Sequence, residues 1–274
     1  METGRLIDSH CHLSDDAFAD DLSAVLLRAR DSGVSRVVVP GVDLPTSTRA
    51  VELAESTPGL FAAVGIHPHE ARHWTADSVN RLRELARSPG VVAIGEIGLD
   101  YYRDHSPRQQ QRHAFEKQLA LAAELGLPVI VHNRESIDDV LATLLPWAAG
   151  LPAPHRQHPG VLHAFSADVK AGQQAVAAGF LLGIAGPITF RNADERRRIT
   201  QALPVEHMLV ETDSPYLTPH PHRGGRNEPA YVRLVAESLA DMEGMDHSEL
   251  AALTTSNASE LFGWNHGTEN SDLL

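Results

Sequence analysis

The chain has 274 residues, 42% hydrophobic and 22% charged, with a formal net charge of −13. This composition suits a soluble globular enzyme and argues against a broad phosphate-gripping coat for duplex DNA, while a small recessed phosphate site beside bound metal ions stays open. The sequence has no apolar run of membrane-spanning length, its start over 1–5 is too short and polar for a signal peptide, and Cys11 is its single cysteine, so a cytoplasmic protein without internal disulfides or a membrane partner is expected.

The first predicted strand, 6–12, is apolar at Leu6 and Ile7 and then carries His10 and His12. Side chains alternate faces along a strand, so the two imidazoles point the same way and suit one divalent ion, with Cys11 opposite as a small buried filler. Helix 20–32, strand 36–41, helix 44–56, strand 61–67 and helix 76–88 follow. Strand 91–98 leads into helix 107–125, then strand 128–133 into helix 136–148, and a proline-rich surface loop spans 150–159. The remaining units are strand 160–165 with helix 168–178, strand 180–184 with helix 193–203, and strand 208–213 with helix 229–243; a last helix covers 248–262. Gly33, Gly126, Gly179 and Gly244 read as helix stops.

Eight βα units of mostly apolar strands predict an α/β fold, a (β/α)8 TIM barrel with an additional C-terminal helix. An open doubly wound sheet is the alternative, but the first strand is not followed by a glycine-rich phosphate loop. A single domain over 1–265 is expected, with a disordered tail over 266–274.

In such a barrel, chemistry sits at the C-terminal strand ends. His10 and His12 end the first strand, His67 the third, Glu96 the fourth, His132 and Arg134 the fifth, His163 the sixth and Asp213 the eighth. A lone strand-end histidine is more often a hydrogen-bonded polar residue than a ligand, and a lone Glu96 would fit an ion pair with Arg134. Six polar interruptions at one end of one barrel, each with a desolvation cost, instead form a two-metal inventory. His67 is balanced between the two readings, and His69 and His73 read as exposed loop residues. The charged run Glu195-Arg196-Arg197-Arg198 reads as a solvated helix face.

These segments resemble the TatD-type metal-dependent hydrolases, a branch of the amidohydrolase-like barrels. The resemblance runs from Ile7-Asp8-Ser9-His10-Cys11-His12-Leu13 through Gly65-Ile66-His67-Pro68-His69, Gly95-Glu96-Ile97-Gly98-Leu99-Asp100 and Pro128-Val129-Ile130-Val131-His132-Asn133-Arg134. It continues with Glu211-Thr212-Asp213-Ser214-Pro215-Tyr216 and Arg223-Gly224-Gly225-Arg226-Asn227-Glu228-Pro229, covering nearly the whole chain. It implies that His10 and His12 hold one metal, that Glu96 bridges to a second held by His132 and His163, and that Asp213 is the last ligand, on the first ion beside the nucleophilic water. Two departures stand out: His163-Ala164-Phe165-Ser166-Ala167 replaces the family's His-Cys-Phe-Ser-Gly, and Gly225 stands where the basic loop usually has a lysine. The proline-rich insertion is also longer than expected.

The implied activity is a deoxyribonuclease, commonly a 3′→5′ exonuclease on single-stranded DNA, dependent on two magnesium, manganese or zinc ions. Asp213 would take the water's proton, with Glu96 as the bridge. His67, Arg134, Arg223 and Arg226 would hold the substrate phosphate, and Tyr102 and Tyr216 would stack a terminal base. A different use of the same site, hydrolysis of an amide, lactone or aminoacyl ester of the D-aminoacyl-tRNA type, is the alternative. A monomer or small homo-oligomer is expected.

Overall fold

The computed structural model describes residues 5–264 and 274; apart from Leu274, the expected tail over 266–274 lies outside them. Eight parallel strands lie side by side in chain order: β1 Leu6–Asp8, β2 Val34–Pro40, β3 Leu60–Val64, β4 Val91–Asp100, β5 Val129–Arg134, β6 Gly160–Leu162, β7 Leu181–Ile184 and β8 Met208–Val210. Ser9 N donates to the Val210 carbonyl (3.2 Å), Asp213 N to His10 (2.8 Å) and His12 N to Ser214 (2.8 Å). These bonds bring β8 back to β1 and close the barrel.

The helices α1 Leu22–Asp31, α2 Leu44–Ser56, α3 Ser78–Leu85, α4 Arg108–Leu125, α5 Ile137–Ala149, α7 Val169–Ala177, α8 Asp194–Gln201 and α9 Val232–Glu243 alternate with the strands, and α10 His247–Leu261 follows. A four-residue helix, α6 Ala153–Arg156, interrupts the segment expected to be wholly loop. Among the described residues, no helix is long and apolar enough to cross a membrane. Gly126 and Gly244 cap α4 and α9 at φ 68° and 65°, left-handed values that favour glycine.

The strands are buried on both faces, which is why they read as continuous apolar runs rather than alternating ones. Ile7, Val38, Ala63, Ile130, Val161 and Leu209 turn into the barrel, and Leu261 and Phe262 at the end of α10 join that cluster. The extra helix therefore packs across the N-terminal end of the barrel, opposite the end where the predicted ligands lie. A larger apolar layer separates strands from helices and includes Phe115, Leu119, Leu144 and Phe180.

Four strands end three or more residues earlier than expected. Regular pairing stops at Asp8, Val64, Leu162 and Val210, so His10, His12, His67, His163 and Asp213 sit just past the ladder. Ala164 and Asp213 take left-handed φ values of 43° and 56°, turning the chain where a strand would have continued.

Candidate metal centre

The six predicted ligands converge. His10 Nε2 and His12 Nε2 are 3.1 Å apart. Glu96 Oε2 stands 3.4 and 3.6 Å from them, and Asp213 Oδ1 stands 3.7 and 3.4 Å away. The other oxygen of the same carboxylate, Glu96 Oε1, faces a second group: His132 Nδ1 at 2.9 Å, His163 Nε2 at 3.1 Å and His67 Nε2 at 3.5 Å. Glu96 thus presents one oxygen to each half of the cluster. Among the described residues Glu96 makes no ion pair with Arg134; its partners are histidines.

The donor set fits divalent ions. Metal–nitrogen bonds of about 2.0–2.1 Å put neighbouring ligand atoms roughly 3.0–3.4 Å apart, close to the spacings here. His10 Nδ1 is buried without a hydrogen-bond partner among the described residues. Burial alone would push the Glu96 carboxyl up, yet the imidazoles of His67, His163 and His10 hold it well below the usual carboxylate range. An ionised carboxylate whose two oxygens each face imidazole nitrogens is what cations would complete.

Hydrogen bonds fix which nitrogen each histidine offers. His132 Nε2 lies 3.1 Å from Asp100 Oδ2, and His163 Nδ1 lies 3.2 Å from Glu211 Oε1. Each imidazole thus has a carboxylate on both sides; an N–H donated to Asp100 or Glu211 would leave the nitrogen turned to Glu96 for an ion. His67 differs. Its Nδ1 accepts from His69 N (3.1 Å), so the proton of the neutral ring is on Nε2, which points into the cluster as a donor. Burial pushes His67 down to about 4, against the pull of Glu96, so the ring is neutral near pH 7.

Asp100 and Glu211 were not singled out from the sequence as site residues, although each is a carboxylate at the end of an apolar strand. His69, expected on an exposed loop, is half-buried and places Nε2 2.8 Å from Asp100 Oδ2. Two buried glutamines of α4 were also missed. Gln111 bonds Asp100 N (2.9 Å) and O (3.0 Å), and Gln118 bonds Ile66 N (2.7 Å) and O (3.0 Å), pinning the ends of β4 and β3. Their seven-residue spacing on the apolar face of one helix was the available signal.

The cluster lies at the bottom of an open cleft of about 610 Å³, whose lining includes His67, Arg134 and Tyr216. Tyr102 stands beside it, exposed, under the Arg134 guanidinium at 4.0 Å. Arg223 and Arg226 do not line the cleft. Arg223 lies over the Phe190 ring at 3.9 Å, and Arg226 forms a bidentate pair with Asp21 (2.8 and 2.7 Å).

The sequence model described as TatD related DNase matches residues 7–263. The chain belongs to this family. Among its TatD-family relatives, an uncharacterized metal-dependent hydrolase, YabD, of Bacillus subtilis is 41% identical over 94% of this chain and 98% of that one. A 3′-5′ ssDNA/RNA exonuclease TatD of Erwinia tasmaniensis is 38% identical over 94% and 99%. The crystal structure of the TatD homolog YJJV from Escherichia coli superimposes with a TM-score of 0.88 at 32% identity, covering 95% of this chain and 99% of that one. Membership in a TatD DNase family makes the chain a metal-dependent hydrolase, and histidine–carboxylate groups of the cluster, such as His10, His12 and Glu96 or His67, Glu96 and His132, could hold a metal ion.

Proposed function

We propose that this protein is a two-metal 3′→5′ exonuclease that removes nucleotides from single-stranded DNA ends. The single observation that supports this best is Glu96, whose two carboxylate oxygens face two separate ligand groups on opposite sides. His10, His12 and Asp213 would hold one ion, His132 and His163 the other, with Glu96 between them. Magnesium, manganese or zinc, when bound, would lower the pKa of a water and neutralise charge on the phosphoryl and leaving oxygens.

The protein's own groups then have separate tasks. Asp213, fixed in a left-handed backbone conformation beside His12, takes the proton of the attacking water. His67 donates from Nε2 to a phosphate oxygen, as a neutral ring that adds no charge. Tyr216, exposed on the rim and 6.0 Å edge-on from His12, offers its face to a terminal base. Asp100 and Glu211 hold His132 and His163 in one tautomer and orientation. An acidic chain without a basic coat suits engagement of a strand end rather than coverage of a duplex.

The test is an end-labelled assay. Metal-loaded protein is given 5′-labelled single-stranded DNA, and products are followed with time. A ladder shortening from the 3′ end, abolished by chelator and reduced at least about 10³-fold in Asp213→Asn, is expected. Intact oligonucleotide across magnesium, manganese and zinc, with turnover of carboxylic esters or D-aminoacyl-tRNA instead, would overturn it.

A further inference from the structure

The cleft is electrically lopsided. β4 and β5 stand opposite β1 and β8 in an eight-strand barrel ordered by sequence, so the loops that follow these pairs form facing walls. On the β4–β5 side the cleft is lined by Arg103, His105 and Arg134, with His69 and Glu70 of the loop after β3 beside them; on the β1–β8 side it is lined by Ser14, Asp15, Tyr216 and Leu217.

The basic wall is built and not incidental. Several arginines of this acidic chain pair with carboxylates, as Arg28 does with Glu228 and Arg83 with Glu124. Arg103 and Arg134 instead flank the exposed Tyr102 ring, at 5.7 and 4.0 Å from its centroid, and neither pairs with a carboxylate among the described residues. Asp104, between Arg103 and His105, does not line the cleft, and Glu70, which shares this wall, pairs with His73 at 3.6 Å. One carboxylate ties the wall to the cluster. Asp100 Oδ1 accepts from Tyr102 N (2.9 Å) and Arg103 N (2.8 Å), while its Oδ2 takes His69 and His132. The opposite wall carries a carboxylate: Asp15 Oδ2 lies 3.5 Å from the Tyr216 hydroxyl.

We propose that the Tyr102–Arg103–His105 turn, with Arg134, grips the nucleotide and phosphate upstream of the scissile bond, while Asp15 and Tyr216 receive a terminal nucleoside with a free 3′-hydroxyl. This rests on the exonuclease reading above. Upstream nucleotides bring phosphates and a base, which suit guanidinium groups around an aromatic face. A terminal nucleoside brings a hydroxyl that can donate to Asp15, whereas a 3′-phosphate would meet like charge there. The enzyme is then a reader of strand ends, selective for 3′-hydroxyl over 3′-phosphate termini.

Two ratios test this on the metal-loaded protein. Wild type is expected to cleave 3′-hydroxyl (dT)10 at least about 10-fold faster than 3′-phosphorylated (dT)10, and Asp15→Asn to narrow that gap. Arg103→Ala is expected to lower the ratio of kcat/KM for (dT)10 over (dT)2 by roughly 5- to 100-fold. It should also weaken binding of phosphorothioate (dT)10, measured by anisotropy, with a salt slope about 0.7 shallower. An unchanged melting temperature and metal content establish that each variant is folded. Equal rates on both ends in wild type, or an unmoved length ratio in a folded Arg103→Ala, overturns the proposal while leaving the exonuclease intact. Wild type that cuts bis(p-nitrophenyl) phosphate but no oligonucleotide overturns the exonuclease reading itself.

Discussion

Glu211 shows how much of this site is carried by residues that face no substrate. It is fully buried, and Oε1 accepts from both His163 Nδ1 and the Ala164 backbone N–H. Ala164 holds a left-handed φ of 43°, so the same oxygen fixes the turn and the ring that the turn presents. Replacing Glu211 by Gln keeps the volume but supplies a weaker, neutral acceptor to the imidazole. Metal affinity is expected to fall by roughly 10- to 100-fold, measured by competition with a chromogenic chelator, with little change in the far-ultraviolet circular dichroism. Unchanged affinity would mean that His163 is oriented by something other than Glu211. The six proposed ligands were legible as a cluster because each breaks an apolar run with a group that costs free energy to bury alone. Glu211 and Asp100 have the same signature, but a carboxylate reads alike whether it faces a metal or a histidine. Arg223 and Arg226 illustrate the reverse problem: a basic loop in sequence carries no sign that Asp21, two hundred residues away, takes one of its guanidinium groups.

Among the elements, α4 does more than cover the sheet. Its buried face carries Gln111 and Gln118 among Ala114, Phe115, Leu119 and Ala122. Gln118 satisfies both the N–H and the C=O of Ile66, immediately before His67. A Leu at position 118 would fill the space and leave two buried backbone groups without partners, a loss of about 2–6 kcal/mol. Thermal and urea unfolding of Gln118→Leu measure it; wild-type stability would show that Ile66 finds other partners. Helix positions were readable to within a few residues from 3.6-residue periodicity and terminal glycines. Strand ends were not, for a physical reason. The expected strands ran on through their ligands, whereas the ladder ends before most of them because the chain must turn to aim His163 and Asp213 inward. Only Glu96 and His132 remain within regular strands. The close fit of those two strands has its own signal, since a Cβ on Gly98, at φ 138°, would lie 2.1 Å from the His132 carbonyl oxygen.

For the molecule as a whole, the barrel gathers side chains from positions 10 to 213 at one end and lets α10 pack across the other. The order and number of βα units were legible because parallel strands buried on both faces leave near-continuous apolar runs. The short helix within 153–156 was not, since four residues carry no periodicity. Folding brings the ligands together, so ions that bind the folded chain stabilise it, by about 2.7 kcal/mol at a hundredfold excess over the dissociation constant. The central claim is that Glu96 joins two metal sites in one cluster. Equilibrium dialysis with elemental analysis, comparing wild type and Glu96→Ala, tests it most directly. Two ions per wild-type chain are expected, with at least one lost and the melting temperature no longer raised to the wild-type extent by metal in the variant. A folded Glu96→Ala protein that keeps the full wild-type metal content would contradict it.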